Sequence, residues 1–141
     1  MNKDHEINRR ALLSGACALL VLTGLGALPA SANTGIRRLG NGRVSVKLKS
    51  LPELSKIGGS VGIGNVKGKP VAITRTGNSS YVAFSLSCPH QGVKLSWEEN
   101  GWICDAHGSE FKADGELVLG PATTRLPRVP MKIAKGVATV G

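Results

Sequence analysis

Two short motifs, Cys88-Pro89-His90 and Cys104-Asp105-Ala106-His107, constrain this chain more than any other stretch; thirteen residues separate His90 from Cys104. Each motif offers one thiolate and one imidazole from a tight, glycine-closed loop (Cys88 to Gly92, Cys104 to Gly108). Buried Cys and satisfied His occur singly in ordinary cores. Paired sulfur and nitrogen donors at this spacing are instead what a metal centre requires. A structural zinc site also takes two Cys and two His, and would make the chain a zinc-stabilised, non-redox binding module. Its halves, however, usually space their ligands by two to four residues, and Cys88-x-His90 is tighter. The inventory favours a single centre. His5 and Cys17 lie in an N-terminal stretch read below as a leader, and every other His and Cys belongs to this pattern.

From about Val71 onward the chain resembles Rieske iron–sulfur proteins, and the four residues above carry the resemblance. It implies a 2Fe–2S cluster in which Cys88 and Cys104 ligate the inner iron and His90 and His107 the outer iron near solvent. It further implies that Gly120-Pro121-Ala122 is the proline-bearing loop over the cluster, with Pro121 as the family proline. Ser109 matches the family Ser that donates to a bridging sulfide. Phe111 stands where high-potential members have a Tyr whose hydroxyl reaches a cysteine sulfur. Respiratory members carry two more Cys, joined as a disulfide between the loops; the matching positions here are Val93 and Ala106. Both partners are absent together, so the resemblance is to a disulfide-free version whose loops are held by packing and hydrogen bonds. Hydrogen bonds to cluster sulfurs raise the potential. One donor kept and one lost therefore implies a mid-range potential within about −150 to +300 mV, below the quinol-oxidising members. Imidazole ligands near solvent imply that this potential varies with pH in the alkaline range.

The remainder reads as one all-β domain by length. Aromatic residues are few and Gly abundant, which suits a loop-rich β protein. The expected architecture is a Rieske-type antiparallel β sandwich or barrel core over residues 43–141, with a small cluster-binding subdomain from about Leu86 to Ala122 inserted in it. Val44, Val46 and Leu48 alternate with polar residues, a half-buried strand signal. Gly58 to Gly68 reads as loop with one short strand at most. Val71 and Ile73, then Tyr81 to Leu86, read as two strands around a Gly77-Asn78 turn, the second delivering Cys88. Trp102-Ile103 delivers Cys104. Asp114-Gly115 marks a hairpin, Arg125 to Pro130 an extended crossing, and Lys135-Gly136 the turn of a last hairpin. Residues 33–42 read as a flexible tether.

Residues 1–32 read as a leader. Asn8-Arg9-Arg10-Ala11-Leu12-Leu13 has the form of a twin-arginine export signal, followed by an apolar run to Leu28 and a small-residue cleavage site, Ala30-Ser31-Ala32. That route passes folded proteins, as a cluster assembled in the cytoplasm would demand. The expected location is the periplasm. An uncleaved leader is the competing outcome, since Ala11 to Leu28 is long enough for a short membrane helix and would put the chain in contact with the membrane. Cys17 belongs to the apolar run.

Without residues 1–32, which hold three basic and two acidic residues, 15 Lys and Arg remain against 7 Asp and Glu. Six of the seven acids lie between Glu98 and Glu116, whereas residues Arg37 to Arg75 hold nine basic residues against Glu53 alone. This polarity suits an electron carrier with an acidic region beside the cluster and a basic body facing anionic lipid or an acidic partner. Nucleic acid fits poorly, for want of a helical basic stripe or aromatic side chains that stack bases. The expected function is one-electron transfer, as a free carrier or as the redox subunit of a larger complex. Expected partners are a cytochrome, a quinol-oxidising complex or a molybdenum oxidase subunit. A ferredoxin serving an aromatic-ring oxygenase is similar in size, but its partners are cytoplasmic and the leader argues against it.

Overall fold

β-branched residues alternating with polar ones make strands, and in the computed structural model, which describes residues 35–141, strands dominate. In the first half of the described chain they are β1 (Ile36–Arg38), β2 (Val44–Lys47), β3 (Ser60–Val66), β4 (Lys69–Arg75) and β5 (Tyr81–Ser85). Six more follow: β6 (Ser96–Glu98), β7 (Gly101–Ile103), β8 (Glu110–Lys112), β9 (Leu117–Leu119), β10 (Met131–Ala134) and β11 (Val137–Val140). They form three antiparallel sheets, ordered β1-β2-β11-β10, β3-β4-β5 and β6-β7-β8-β9. Helix is confined to three short 3₁₀ turns among the described residues, none able to cross a membrane. The leader lies outside the described residues.

The second sheet is the middle layer. Val44, Val46, Ala138 and Val140 of the first sheet pack on Ile63, Val66, Val71, Ile73 and Ala83 of the second. From its opposite face, Ala72, Phe84 and the following Leu86 meet Leu95, Trp102, Phe111, Leu126 and both cysteines. Strand β4 is therefore buried on both sides from Val71 to Thr74, as a central strand between two cores must be. Thr74 satisfies its hydroxyl there by donating to the Ala113 carbonyl at 2.5 Å, which ties the middle sheet to the hairpin after β8.

The third sheet is an insertion. The chain leaves β5 at Ser85 and returns to it at Pro127–Val129, where Ser85 N–H donates to Pro127 O and Val129 N–H to Ala83 O. Arg128 pairs with Phe84 at this crossing, so the extended segment expected there doubles as an added edge to the middle sheet.

Two expectations are corrected. Gly58 to Gly68 is not mainly loop: it contains the seven-residue β3. A bulge inserts one residue between Gly62 and Gly64, so the inward positions run Ile63 then Val66 and the two-residue period is broken. Gly64, at φ +87°, supplies the left-handed backbone this bulge uses. Nor are residues 35–42 a tether. Ile36–Arg38 pairs with β2, and Lys47 N–H donates to Gly35 O at 2.7 Å. Ile36 is the one apolar residue of that strand, too little for a periodic signal. Asn33 and Thr34 lie outside the described residues.

Phe84 is fully buried, faces Trp102 edge-on with ring centroids 6.3 Å apart and joins the inserted sheet to the middle layer. Phe84→Ala should lower unfolding free energy by about 3–5 kcal/mol, read from the chemical denaturation midpoint; a loss below about 1 kcal/mol would contradict its role as the hinge of the two layers.

Candidate metal centre

Strands β5 and β7 each run into a cysteine, and the two loops that follow share one backbone frame. Cys88 N–H donates to Val93 O and its carbonyl accepts from Gly92 N–H, at 2.8 and 2.7 Å. Cys104 N–H donates to Ser109 O and its carbonyl accepts from Gly108 N–H, both at 2.8 Å. In each loop the glycine four residues after the cysteine sits at positive φ, +73° for Gly92 and +75° for Gly108. A side chain with a Cβ is costly there. The frame is written in the sequence as a twice-occurring Cys-x-x-x-Gly, which includes but is not identical with the ligand spacing.

The loops bring all four expected donors to one end of the inserted sheet. Cys88 and Cys104 are free thiols, 1% and 0% exposed, at the floor. His90 is exposed and His107 half-buried above them. Their rings stand edge-on, centroids 4.8 Å apart at 84°, and His107 Nδ1 lies 3.8 Å from Cys104 Sγ. Among the described residues no trio of His, Cys, Asp or Glu side chains surrounds a single ion-sized point.

Ser109 is fully buried, and its Oγ accepts the Ala122 N–H at 3.0 Å. This bond pins the Gly120-Pro121-Ala122 loop to the second cysteine loop and leaves the hydroxyl hydrogen free to donate. Pro121 itself is exposed, and Ala122 is buried against the cysteines. Phe111 is buried in the same core, paired with Trp102 across β7 and β8, and has no hydroxyl to offer.

Two residues that sequence reasoning missed tie the second loop to the strand that follows the first. Ser96 Oγ donates to Asp105 Oδ2 at 2.5 Å. Ser96 follows the first loop directly, and Asp105 lies between Cys104 and His107. The bond thus ties the start of β6, which the ladder already pairs with Ile103, to the second cysteine loop. Val93 is half-buried against the core around the cysteines, while Ala106 is exposed. Exposed Ser and Asp residues carry no pattern that marks such a strap in advance. Of the acids on this side, Glu98, Glu99 and Asp105 are exposed, and Glu116 pairs with Arg125.

Residues 47–130 match the family model of the Rieske [2Fe-2S] domain, and the chain belongs to that family. Its relatives include a cytochrome b6-f complex iron-sulfur subunit of Synechocystis, 33% identical over 53% of this chain and 40% of that one. A carotenoid phi-ring synthase of Chlorobaculum tepidum is 30% identical over 77% of this chain but only 17% of its own length. The chain thus spans well under half the length of either. Among solved structures, a hyperthermophilic respiratory Complex III chain shares the fold at TM-score 0.55 and 18% identity, over 67% of this chain and 71% of that one. A quaternary ammonium Rieske monooxygenase does so at TM-score 0.52 and 22% identity, over 63% and 30%.

The cofactor of this domain is a Rieske-type 2Fe–2S cluster, and the residues present fit it. Two buried thiols and two adjoining imidazoles match the donor set of that group; a tetrahedral zinc site takes the same donor types, and it is the match to the Rieske domain that decides between them. The zinc reading is thereby displaced.

If the Ser96–Asp105 bond steadies the second cysteine loop against β6, Ser96→Ala and Asp105→Ala should each speed cluster loss in mild denaturant. The double variant should be no worse than the poorer single one. Both residues are exposed, so the coupling should be about 0.5–1 kcal/mol; fully additive effects would show that the bond does not steady the loop.

Proposed function

We propose that this chain passes single electrons through a 2Fe–2S cluster held by Cys88, Cys104, His90 and His107. The observation that carries the reading is the pairing of two sealed sulfurs with two adjoining surface imidazoles. When bound, the cluster supplies a one-electron couple with no open coordination position for a substrate. Cys88 and Cys104 hold the inner iron, their backbones locked at strand ends and their sulfurs shielded from water. His90 and His107 hold the outer iron and form the exposed edge through which a partner is reached. Ser109, whose hydroxyl hydrogen is left free, would donate to a cluster sulfur, and Pro121, pinned through Ala122, would cover the site.

The chain works in the periplasm, as a small carrier or as the redox subunit of a larger oxidoreductase. The leader sequence supports the location. Relatives named as iron-sulfur subunits of the cytochrome b6-f complex support a quinol-oxidising or comparable respiratory partner. A molybdenum oxidase is the other partner class with the same need for a one-electron relay. Exposed Glu98 and Glu99 on the inserted sheet favour a basic docking surface on the partner that approaches it.

A redox titration tests this reading. One electron per chain should titrate at a mid-range potential within about −150 to +300 mV. Ser109→Ala should lower it and Phe111→Tyr raise it, each by roughly 40 mV, the equivalent of a hydrogen bond of about 1 kcal/mol. A potential at the top of the range, or one indifferent to both substitutions, would contradict the proposed tuning; no reversible one-electron couple would contradict the function.

A further inference from the structure

We propose that the outer face of the first sheet is a docking surface for an anionic lipid bilayer. On β2 and β11, Val44, Val46, Ala138 and Val140 are buried inward. Their neighbours Ser45, Lys47, Val137 and Thr139 therefore point outward. The register puts Arg37, Ser45, Thr139 and Lys132 in one row across all four strands, with Lys47 one step along. Arg37, Lys47 and Lys132 are exposed, and Arg43, Lys49 and Lys135 are exposed at the strand ends. No Asp or Glu occurs from Ile36 to Lys49 or from Met131 to Gly141. The ion pair found among the described residues is Arg125–Glu116, elsewhere. Three cations thus share the outward face and three more lie at its strand ends, with no carboxylate in these segments, an arrangement that a negatively charged surface relieves.

The occupant is lipid rather than protein because of what the face lacks. Protein interfaces centre on aromatic or large apolar anchors. The exposed large hydrophobics are Ile57, Trp97, Val118, Leu119 and Ile133. Of these only Ile133 is in the first sheet, and it pairs with Ala138 in the inward row. Trp97, Val118 and Leu119 lie in the inserted sheet with the candidate cluster site. A bilayer needs only charge density, gained through each Lys or Arg held near its surface. Connectivity agrees: the chain enters this sheet at Gly35, beside edge strand β1, after the apolar run that ends at Leu28.

The consequence is orientation. The first sheet and the cysteine loops pack on opposite faces of the middle sheet. With the basic face on lipid, the four donors point away from the membrane, towards a partner in the aqueous phase. The docking inference does not depend on the cluster reading, because its readout is lysine reactivity.

The cluster-loaded full chain should be mixed with vesicles of phosphatidylcholine, with or without phosphatidylglycerol, and labelled with an amine-reactive reagent. On phosphatidylglycerol vesicles, Lys47, Lys49, Lys132 and Lys135 should be labelled about fivefold or more slowly than on neutral ones, the shift expected from one basic contact. Lys94 and Lys112, on the inserted side, should not change. The protection should fade towards 1 M salt, where the screening length drops to about 3 Å. In the R37Q/K47Q/K132Q variant, Lys49 and Lys135 should lose their protection while circular dichroism stays unchanged. Because the leader is common to every sample, any anchoring by it cancels from the comparison. Equal labelling on both vesicle types would overturn the proposal. So would protection by poly-glutamate without protection by vesicles, which would assign the face to an acidic protein.

Discussion

The hydrogen bonds made by the backbones of Cys88 and Cys104 are the constraint on which the site rests. Each cysteine spends its N–H on a carbonyl five residues ahead and its carbonyl on a glycine N–H four residues ahead. A short loop cannot close twice on its own first residue unless that glycine turns left-handed, so Gly92 and Gly108 are as much a part of the site as the donors. The cysteines themselves are extensions of β5 and β7 and belong to the core that Phe84, Trp102 and Phe111 build. Core packing therefore sets the positions of the sulfurs, and the loops set those of the imidazoles. A rigid floor below one exposed and one half-buried ring lets a redox group exchange electrons with a partner while its sulfur side stays dry.

The loops carry no Cys at Val93 or Ala106, and other contacts hold each of them. Val93 packs into the core, Ser96 reaches Asp105, and Ser109 holds Ala122. These contacts differ in kind. The Ser109 bond is fully buried, where breaking it would strand a backbone donor. The Ser96 bond is exposed and weaker for it. The proline-bearing loop is thus held to the second cysteine loop more firmly than that loop is held to β6. Opening should begin on the outer, histidine-bearing side, away from the core.

The donor quartet was legible because Cys and His are scarce here and both motifs are short. Strands β4 and β5 and the final hairpin were legible because Val71 to Ile73, Tyr81 to Leu86 and Val137 to Val140 are dense in β-formers around glycine turns. Strand β3 was not, because its bulge at Gly62–Gly64 shifts the apolar period by one residue. Strand β1 was not, because one isoleucine between arginines has no period at all; the open edge of β2 makes it a strand. The Ser96–Asp105 strap and the Ser109–Ala122 bond join residues nine and thirteen apart, and nothing local announces them. Residue type revealed the chemistry, and tertiary pairing decided how that chemistry is held.

Layering gives the molecule a direction: a cation-rich sheet, a middle sheet whose central strand is buried on both faces, and an inserted sheet with acids, exposed apolar residues and the donor loops. The central claim is that four side chains on two loops hold two irons, and pulsed electron paramagnetic resonance of the dithionite-reduced protein, alongside metal and sulfide analysis, tests it most directly. Two irons and two acid-labile sulfides per chain, with couplings to two imidazole nitrogens of which one vanishes in His90→Ser or His107→Ser, is the expected result. Stoichiometric zinc without iron, or a paramagnetic cluster with no nitrogen coupling, would contradict it.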